Sequence, residues 1–477
     1  MNWKIRIKRF IAHILGRQFL FLLGGVGILT LHASTLSAQQ HDQVTFTRDV
    51  APILQRRCQE CHRPGSIGPM ALETFEQVSL WAPLIKDRVM KREMPPWPID
   101  ITVGIQDFKN SRSLSTAEIQ TIVGWVDSGA VKGNPADMPA ALEWQDHSKT
   151  WRFEKNFNRP PDLVVSSEPY TVPADGADHW PNLQTPLGMV DKRWIAAVEF
   201  RPERAEIEEV FHHANPSVGN PNVPGGMNAA IRQVRGMDGI IFADDTGVPI
   251  GPGDVVRWNM HLFPIDRVVE DAVLQLGIWL HPPESPPSKT LPGSQGLSCS
   301  QWTGHSHALG RSGDGDLPGM SADPQIGRQG DILIAPNSVA TLRGVYVLDR
   351  PVRLQSLRAH MHLRGVYQIL EAIYPDGRWE IINKMHNNHR WQTEFLYKED
   401  AMPLFPKGTF LISTCVYDNT DANPLNPDPT VWVTRGERTV DEMGHFRAQM
   451  LFYESEEEFQ VAVRERERRL QLAPNKE

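Results

Sequence analysis

The chain has 477 residues, of which 40% are hydrophobic and 22% are charged, so its composition excludes a wholly disordered or fibrous protein. Its formal net charge of −8 at pH 7 argues against nucleic acid as the main partner. The length is typical of about three domains. Four cysteines are too few for a disulfide scaffold, whereas 17 histidines and 15 methionines justify a search for metal ligands.

The start of the chain has the layout of a secretory signal peptide. The uncharged, mostly apolar run Phe19–Leu31 follows a basic stretch and precedes small residues that include Ala38. The basic residues are Lys4, Arg6, Lys8 and Arg9. Because the apolar run is shorter than the roughly 20 residues that span a bilayer, we expect residues 1–38 to be a signal peptide. The protein would then be periplasmic or otherwise extracytoplasmic, and an uncleaved signal would tether it to the membrane.

A CxxCH motif follows, formed by Cys58, Cys61 and His62. Two thiols three positions apart can both add to the vinyl groups of one haem, and the adjacent histidine can then reach the iron from one side. A disulfide between the two cysteines or half of a zinc site is the alternative, and zinc is disfavoured because a second CxxC is absent. The motif predicts one covalently bound c-type haem.

The second haem ligand is expected to be a methionine, with Met94 favoured over Met70 and Met90. Met94 precedes two prolines and Trp97, and such prolines hold an extended loop that can present a thioether to iron. Downstream, a capping box at Ser115 predicts a helix that ends near residue 129. Residues 42–140, with their CxxCH and "MPPW" motifs, resemble a small class I c-type cytochrome domain.

The rest of the chain has the texture of an all-β protein. Short runs of β-branched and aromatic residues alternate with Pro, Gly, Asn and Asp, which predicts two antiparallel β-sandwich domains at residues 155–285 and 329–455. The Pro/Gly-rich residues 286–328 are predicted to connect them, and residues 456–477 to form a helical tail. The predicted fold class is therefore multidomain, with a small all-α domain followed by two all-β domains.

Two histidines in the second β domain form an HxH motif, His360 and His362. On a strand, residues i and i+2 point the same way, so both imidazoles can bind one ion. Met443 lies far downstream in "DEM", at the mouth of another predicted strand. A set of two histidines and one methionine suits copper that cycles between Cu(I) and Cu(II). Spacing alone does not bring the methionine to the histidines.

Three histidines in the first β domain are weaker candidates. His212 and His213 are adjacent, so both could bind one metal only at a β-bulge or a strand end. His261 could supply a third imidazole, although a histidine in an apolar strand is more often a hydrogen-bonded core residue. Two further pairs are His305/His307 and His386/His389. His305 and His307 form an HxH in the predicted connection that could be a third metal site, although surface or hydrogen-bonded histidines are the simpler explanation.

The order of these motifs resembles that of the copper type II, ascorbate-dependent monooxygenases, the family of peptidylglycine α-hydroxylating monooxygenase and dopamine β-monooxygenase. The resemblance covers roughly residues 155–455, and "HMHLRG" and "DEM" are its most specific parts. It implies two jelly-roll sandwiches with a copper ion in each. The positions that match the electron-transferring copper are His212, His213 and His261. The positions that match the oxygen-binding copper are His360, His362 and Met443.

What this resemblance implies is hydroxylation of an aliphatic C–H bond with O₂ and two electrons, releasing water. The implied partners are O₂, a small organic or peptide-like substrate and an external donor, either ascorbate-like or a redox protein. We hypothesise that the haem relays electrons to the coppers. A non-catalytic haem–copper electron carrier, or a cytochrome fused to a β-sandwich binding module, remains an alternative.

The cysteines depart from the family's animal members, which are rich in disulfides. Only Cys299 and Cys415 remain outside the CxxCH motif, and they could pair. Cys415 lies where the resemblance places a disulfide cysteine. Gly444, after Met443, stands where the animal enzymes place its partner. The substrate-anchoring residues of the peptide enzyme do not carry over.

Overall fold

The computed structural model describes residues 43–472 apart from several short gaps. The gaps are residues 145–148, 205–206, 224–225, 229–232, 235–238, 292–294 and 304–331 and positions 65, 67, 177, 208, 215, 301, 390 and 437. The predicted signal peptide, most of the predicted connection and His305 and His307 therefore lie outside the described residues. The described chain is mostly β-sheet with few helices, which confirms the prediction at that level.

Helices dominate the first hundred described residues. A π-helical turn, Phe46–Val50, runs into α1 (Ala51–Arg57), and α2 (Phe75–Met90), α3 (Thr116–Asp127) and a 3-10 turn (Pro135–Asp137) follow. The side chain of Ser115 caps α3 through the backbone N–H of Glu118, as the sequence predicts. These helices share a small apolar core around Leu54, Val78, Ile122 and Trp125.

The first β region follows a short helix, α4 (Glu154–Phe157). Its strands are β1 (Leu163–Ser166), β2 (Tyr170–Val172), β3 (Gln184–Pro186), β4 (Arg193–Pro202), β5 (Phe211–Ala214), β6 (Ser217–Gly219), β7 (Met227–Asn228), β8 (Gln233–Val234), β9 (Gly239–Ile241), β10 (Thr246–Ile250), β11 (Val255–Arg257), β12 (Met260–Leu262), β13 (Val269–Ala272), β14 (Leu274–Leu280) and β15 (Lys289–Thr290). The largest sheet has the order β1-β14-β4-β10-β15, with β9 also paired to β4, and smaller sheets join β3-β11-β6-β7, β12-β5-β8 and β13-β2. The inward side chains form one apolar core, to which the later residue Leu451 also belongs.

The second β region contains two five-stranded sheets. Its strands are β16 (Gln295–Ser298), β17 (Trp302–Thr303), β18 (Leu333–Ile334), β19 (Val339–Val347), β20 (Val352–Met361), β21 (Gly365–Ile373), β22 (Trp379–His386), β23 (Phe395–Leu396), β24 (Leu404–Phe405), β25 (Phe410–Asp418), β26 (Val433–Thr434) and β27 (Gly444–Phe452). One sheet runs β16-β27-β20-β23, with β24 also on β20, and the other runs β17-β19-β25-β21-β22. Side chains of both sheets share one apolar core, an arrangement consistent with a β-sandwich.

One predicted segment differs in detail. Strands β16 and β17 come from the segment predicted as a connection and add to the two sheets of the second β region. At the other end, α5 (Glu456–Leu472) begins where the tail helix is predicted, and Ser455 Oγ accepts a hydrogen bond from the backbone N–H of Glu458. No helix in the described part of the chain is long and apolar enough to span a membrane.

Residues 97–110, which we call the strap, leave the helical core and pack on the second β region. Trp97 lies in the apolar core of that region, with its ring centroid 4.6 Å from that of Phe395. The strap forms isolated β-bridges from Ile99 to Met385 and from Phe108 to Tyr397. Backbone hydrogen bonds continue the contact, for example from Lys109 N to the carbonyl of Leu396 at 2.8 Å. The segment predicted as a haem domain is therefore built partly into the β-sheet core.

Candidate metal centres

The register of β20 and β27 brings the HxH and DEM motifs together. His360 pairs with His445 and Met361 pairs with Gly444 in antiparallel register. His362 and Met443 are the next residues beyond this last pair. Residues that are 81 positions apart in the sequence, His362 and Met443, therefore flank the same end of one strand pair. Sequence spacing alone could not show that these two motifs lie close together.

His360 lies beside two other histidines, His362 and His445. Its ring centroid lies 5.2 Å from that of His362, with the two planes at 87°, and 4.9 Å from that of His445. Its Nδ1 atom is buried and has no hydrogen-bond partner among the described residues. Burial holds the pKa of His360 well below its usual range. A buried, neutral imidazole nitrogen without a partner is costly unless something binds it.

His362 is held in one tautomer by the backbone. Its Nδ1 lies 3.1 Å from the carbonyl oxygen of Asp441, and because a carbonyl can only accept, Nδ1 carries the proton. Nε2 is then the nitrogen with a lone pair for a metal. Burial lowers the pKa of His362, which favours the neutral ring.

The turn after His362 is fixed by a buried carboxylate. Glu442 accepts hydrogen bonds from the backbone N–H groups of His362 at 3.0 Å and Arg364 at 2.6 Å. Burial raises the pKa of Glu442 to about 7, although these same hydrogen bonds act to lower it. Arg364 is itself buried and donates to the side-chain oxygen of Asn419 and to the carbonyl of Val440, each at 2.8 Å. The segment that follows the HxH motif is therefore supported by buried, hydrogen-bonded side chains.

A disulfide lies behind Met443. The structure joins Cys299 and Cys415, with their Cα atoms 5.7 Å apart. The backbone N–H of Cys299 donates to the carbonyl of Gly444 at 2.9 Å, and Tyr417 Oη donates to the carbonyl of Met443 at 3.2 Å. A Cβ at Gly444 would overlap Tyr417 Oη and contact the sulfur of Cys415. Position 444 therefore has no room for a side chain, and the disulfide partner of Cys415 is Cys299.

Strand pairing also brings together the backbone segments that carry His213 and His261. His213 pairs with His261 across β5 and β12, but Leu262 pairs with Phe211, so the register shifts by one residue. This shift places His212 at a bulge, which is the backbone condition that the sequence analysis required for two adjacent histidines. The side chains of His212 and His213 lie outside what the structure describes.

His261 is the best described of these three. It is buried, and its Nε2 donates to a carboxylate oxygen of Asp178 at 2.8 Å. Burial lowers the pKa of His261, and Asp178 acts in the opposite direction. A carboxylate that accepts from one ring nitrogen leaves Nδ1 as the metal-binding atom, a common arrangement for ligating histidines. The exposed ring of Trp180 stacks on His261 with centroids 3.7 Å apart. Sequence reasoning found neither Asp178 nor Trp180, because both precede β12 by about eighty residues and carry no motif.

The CxxCH motif forms a tight turn after α1. The backbone N–H groups of Cys61 and His62 both donate to the carbonyl of Cys58, at 3.1 and 2.9 Å. His62 Nδ1 donates to the carbonyl of Met70 at 3.1 Å, which leaves Nε2 to reach an iron. A Cβ at Gly68 would come within 2.6 Å of the carbonyl oxygen of Cys61 and 2.7 Å of His62 Nδ1. The loop therefore needs glycine to close over the histidine.

Cys58 and Cys61 are not joined by a disulfide in the structure. Burial raises the pKa of the Cys58 thiol to about 12, which keeps it protonated. Met90 and Met94 are both partly exposed, and Met70 packs against the helical core. Met94 stays the predicted second haem ligand.

His386 belongs to the other histidine pair considered in the sequence analysis. His386 is exposed, and its backbone N–H donates to the carbonyl of Pro98 in the strap. Within the described ranges, no group of three or more His, Cys, Asp or Glu side chains is arranged to hold a metal ion. That statement does not cover a set of two histidines and one methionine, because methionine is not one of those four residue types.

Comparisons with known proteins do not assign a family. No family model matches the chain, and no curated protein does. Among solved structures, one of infectious bursal disease virus (Gx strain) has a TM-score of 0.17 and 6% identity over 64% of this chain and 77% of that chain. The coconut allergen cocosin has a TM-score of 0.15 and 12% identity over 61% of this chain and 85% of that chain. An oxalate decarboxylase has a TM-score of 0.12 and 8% identity over 60% and 86%. Likenesses at this level carry no argument about function.

Proposed function

We propose that this chain is an exported, haem- and copper-containing monooxygenase that hydroxylates an aliphatic C–H bond of an organic substrate with O₂. The observation that carries this proposal is the register of β20 and β27, whose last pair is Met361 with Gly444, so that the HxH motif and Met443 lie at the same end of one strand pair. The fold proposed with it is a cytochrome c-like segment followed by two jelly-roll copper domains. The CxxCH turn, the bulge at His212 and the bonded support of His362 favour that assignment.

Each candidate site provides the donors that its cofactor requires. His360, His362 and Met443 would hold one copper ion, and His212, His213 and His261 the second. Cys58, Cys61 and His62 would hold the haem, with Met94 as its second ligand. Copper in such sites supplies an ion that changes between Cu(I) and Cu(II) and so delivers single electrons to O₂. One oxygen atom enters the C–H bond, and the other leaves as water with two electrons and two protons.

The chain's own residues have supporting roles in this chemistry. Asp178 and the carbonyl of Asp441 each fix the tautomer of a ligand histidine. Glu442 and the Cys299–Cys415 disulfide hold the backbone on either side of Met443. Such supporting groups orient the ligands before a metal arrives, which increases metal affinity.

Electron relay by the haem is supported by the strap. Trp97 follows the predicted ligand Met94 by three residues and contacts Phe395 in β23. Phe395 in turn pairs with Leu357 of β20, three residues before His360. The electrons would come from an external donor, either ascorbate-like or a redox protein. Export to the periplasm or another extracytoplasmic compartment belongs to the same proposal. The signal-like start of the chain supports export, and c-type haem and copper are compatible with such a compartment.

Metal counting tests the proposal directly. The full-length protein is produced with haem maturation, loaded with copper and analysed for Fe and Cu beside Met443→Ala, His261→Ala and the control His386→Ala. We expect about one Fe and two Cu per chain. Each ligand variant should lose one Cu, and the control should lose none.

Other outcomes favour the alternatives. One Fe without stoichiometric Cu would leave a cytochrome fused to a binding module. Full copper content and reversible copper reduction, without product from any C–H substrate in a screen with O₂, would favour the electron carrier. If reduced haem were reoxidised no faster once copper, substrate and O₂ are supplied, the relay would be wrong.

A further inference from the structure

A third histidine lies beside the HxH motif. His445 is the cross-strand partner of His360, and the two ring centroids are 4.9 Å apart with the planes tilted by 42°. Residues that pair directly across an antiparallel sheet project from the same face and contact each other. His445 is therefore placed at the HxH site by the backbone register as well as by ring contact.

Met443 and His445 flank the start of β27, since Met443 directly precedes the strand and His445 is its second residue. His360 is the last but one residue of β20, and His362 directly follows that strand. Strand alternation continued by one residue would direct each such i, i+2 pair to one side. His360 pairs with His445, and the same register continued by one residue would place His362 opposite Met443. These four residues therefore lie at one end of one strand pair. We call this set the quartet.

The ring spacing agrees with binding of a common ion. Two imidazoles whose nitrogens both lie about 2.0–2.1 Å from one metal have centroids roughly 5 Å apart. The spacings observed from the ring of His360 are 5.2 Å to His362 and 4.9 Å to His445. No three His, Cys, Asp or Glu side chains of the described chain are arranged to hold an ion, so the rings do not converge on one point in this structure. Convergence on one ion requires that a ring turns to another staggered rotamer.

We infer that His445 is a fourth member of this copper site and binds Cu(II) together with His360, His362 and Met443. The inference rests on the proposed function, because it requires that copper binds at the HxH motif. It adds one nitrogen donor to the set that the resemblance implies. An additional imidazole favours Cu(II) over Cu(I), since thioether donors prefer the softer Cu(I). The reduction potential of this copper should therefore be lower than that of a site with only two histidines and one methionine.

Counting imidazole ligands of Cu(II) tests the inference. The full-length, haem-loaded protein is prepared with His261→Ala, which removes the contribution of the first histidine set, and loaded with one equivalent of Cu(II). Pulsed EPR then counts the imidazoles coupled to copper, with and without His445→Gln. We expect three in the His261→Ala background and two after His445→Gln, with Cu(II) affinity weaker by about tenfold or more. The potential should rise in the same variant.

Controls separate the possible failures. His386→Gln changes an exposed histidine outside the quartet and should leave the imidazole count at three. Thermal unfolding of each protein without copper shows whether His445→Gln folds normally. Two imidazoles in both proteins, with equal affinity and potential, would overturn the inference alone. If His360→Ala and Met443→Ala bind as much copper as their parent, the proposed function and the inference both fail.

Discussion

The candidate ligands differ in which ring nitrogen they offer. His62 and His362 use Nδ1 to bond a backbone carbonyl and so present Nε2. His261 uses Nε2 to bond Asp178 and so presents Nδ1. Because the second nitrogen of each ring is already engaged, the metal-binding tautomer is set before any metal binds.

Asp178 should therefore be needed for copper at the first site. Asp178→Asn removes the charge that supports the Nε2–H tautomer of His261, and we expect copper affinity there to fall by about 10–100-fold. Competition with a chelator measures this, with Asp175→Asn, a nearby exposed carboxylate, as the matched control. Equal affinities in the two variants would mean that Asp178 does not orient His261.

The strap is the element that most changes the sequence-based view. Gly104 has φ of +71°, and a Cβ there would overlap the carbonyl oxygen of Ile382 in β22. Close approach of two backbones, together with a left-handed conformation, requires glycine at this position. At Gly104 the strap therefore approaches β22 too closely for a side chain.

Gly104→Ala should consequently destabilise the protein by roughly 1–3 kcal/mol. The matched control is Gly377→Ala, because Gly377 has a similar φ of +84° and nothing within 4 Å of the added Cβ. Its cost should be confined to the backbone conformation, about 1 kcal/mol. Urea unfolding of both variants measures the difference, and equal destabilisation would show that the strap does not pack tightly on β22.

The strap should also loosen in acid through Asp100. The Thr102 side chain, followed by its backbone N–H and Lys384, lowers the pKa of Asp100 to about 2. A carboxyl group whose pKa is depressed on folding stabilises the fold above its unfolded pKa, near 3.9, and this stabilisation is lost as the pH falls towards 2. Unfolding free energy measured from pH 5 to pH 2 should fall more steeply in wild type than in Asp100→Asn. Parallel curves would contradict this.

Some parts of the fold and of the candidate site could be predicted from the sequence, and others could not. The HxH, DEM and CxxCH motifs were recognisable because the residues within each motif are close in sequence. His445 could have been found by extending the strand alternation two residues beyond Met443. The contact of Trp97 with Phe395 could not, because the partner of a buried aromatic ring nearly 300 positions away is decided by packing and not by local pattern.

The helical segment and the two β regions share more contacts than a series of separate domains would. Leu451, in the last described strand, is buried in the apolar core of the first β region, and Arg353 of β20 pairs with Asp245 at 2.8 Å. The strap joins the helical segment to the second β region in the same way. Local changes in one region should therefore alter the stability of the others.

The Cys299–Cys415 disulfide offers a test at this scale. It spans 116 residues of sequence, and a cross-link over such a loop restricts the unfolded chain by roughly 4–5 kcal/mol. Reduction, or Cys299→Ser with Cys415→Ser, should lower the unfolding free energy by up to that amount. Because the bond lies behind Gly444, copper bound at His360 and His362 should weaken while copper bound at His261 should not. Equal weakening of both coppers would show that the effect is global.

Strand β27 has a consequence for how the molecule is made. A chain synthesised from its N-terminus exposes His360 and His362 to solvent well before Met443 and His445 exist. The core of the first β region likewise stays incomplete until Leu451 has been added. Full assembly of the quartet therefore belongs to the last stage of synthesis, and copper delivered to a nascent chain would meet only half of the proposed binding site.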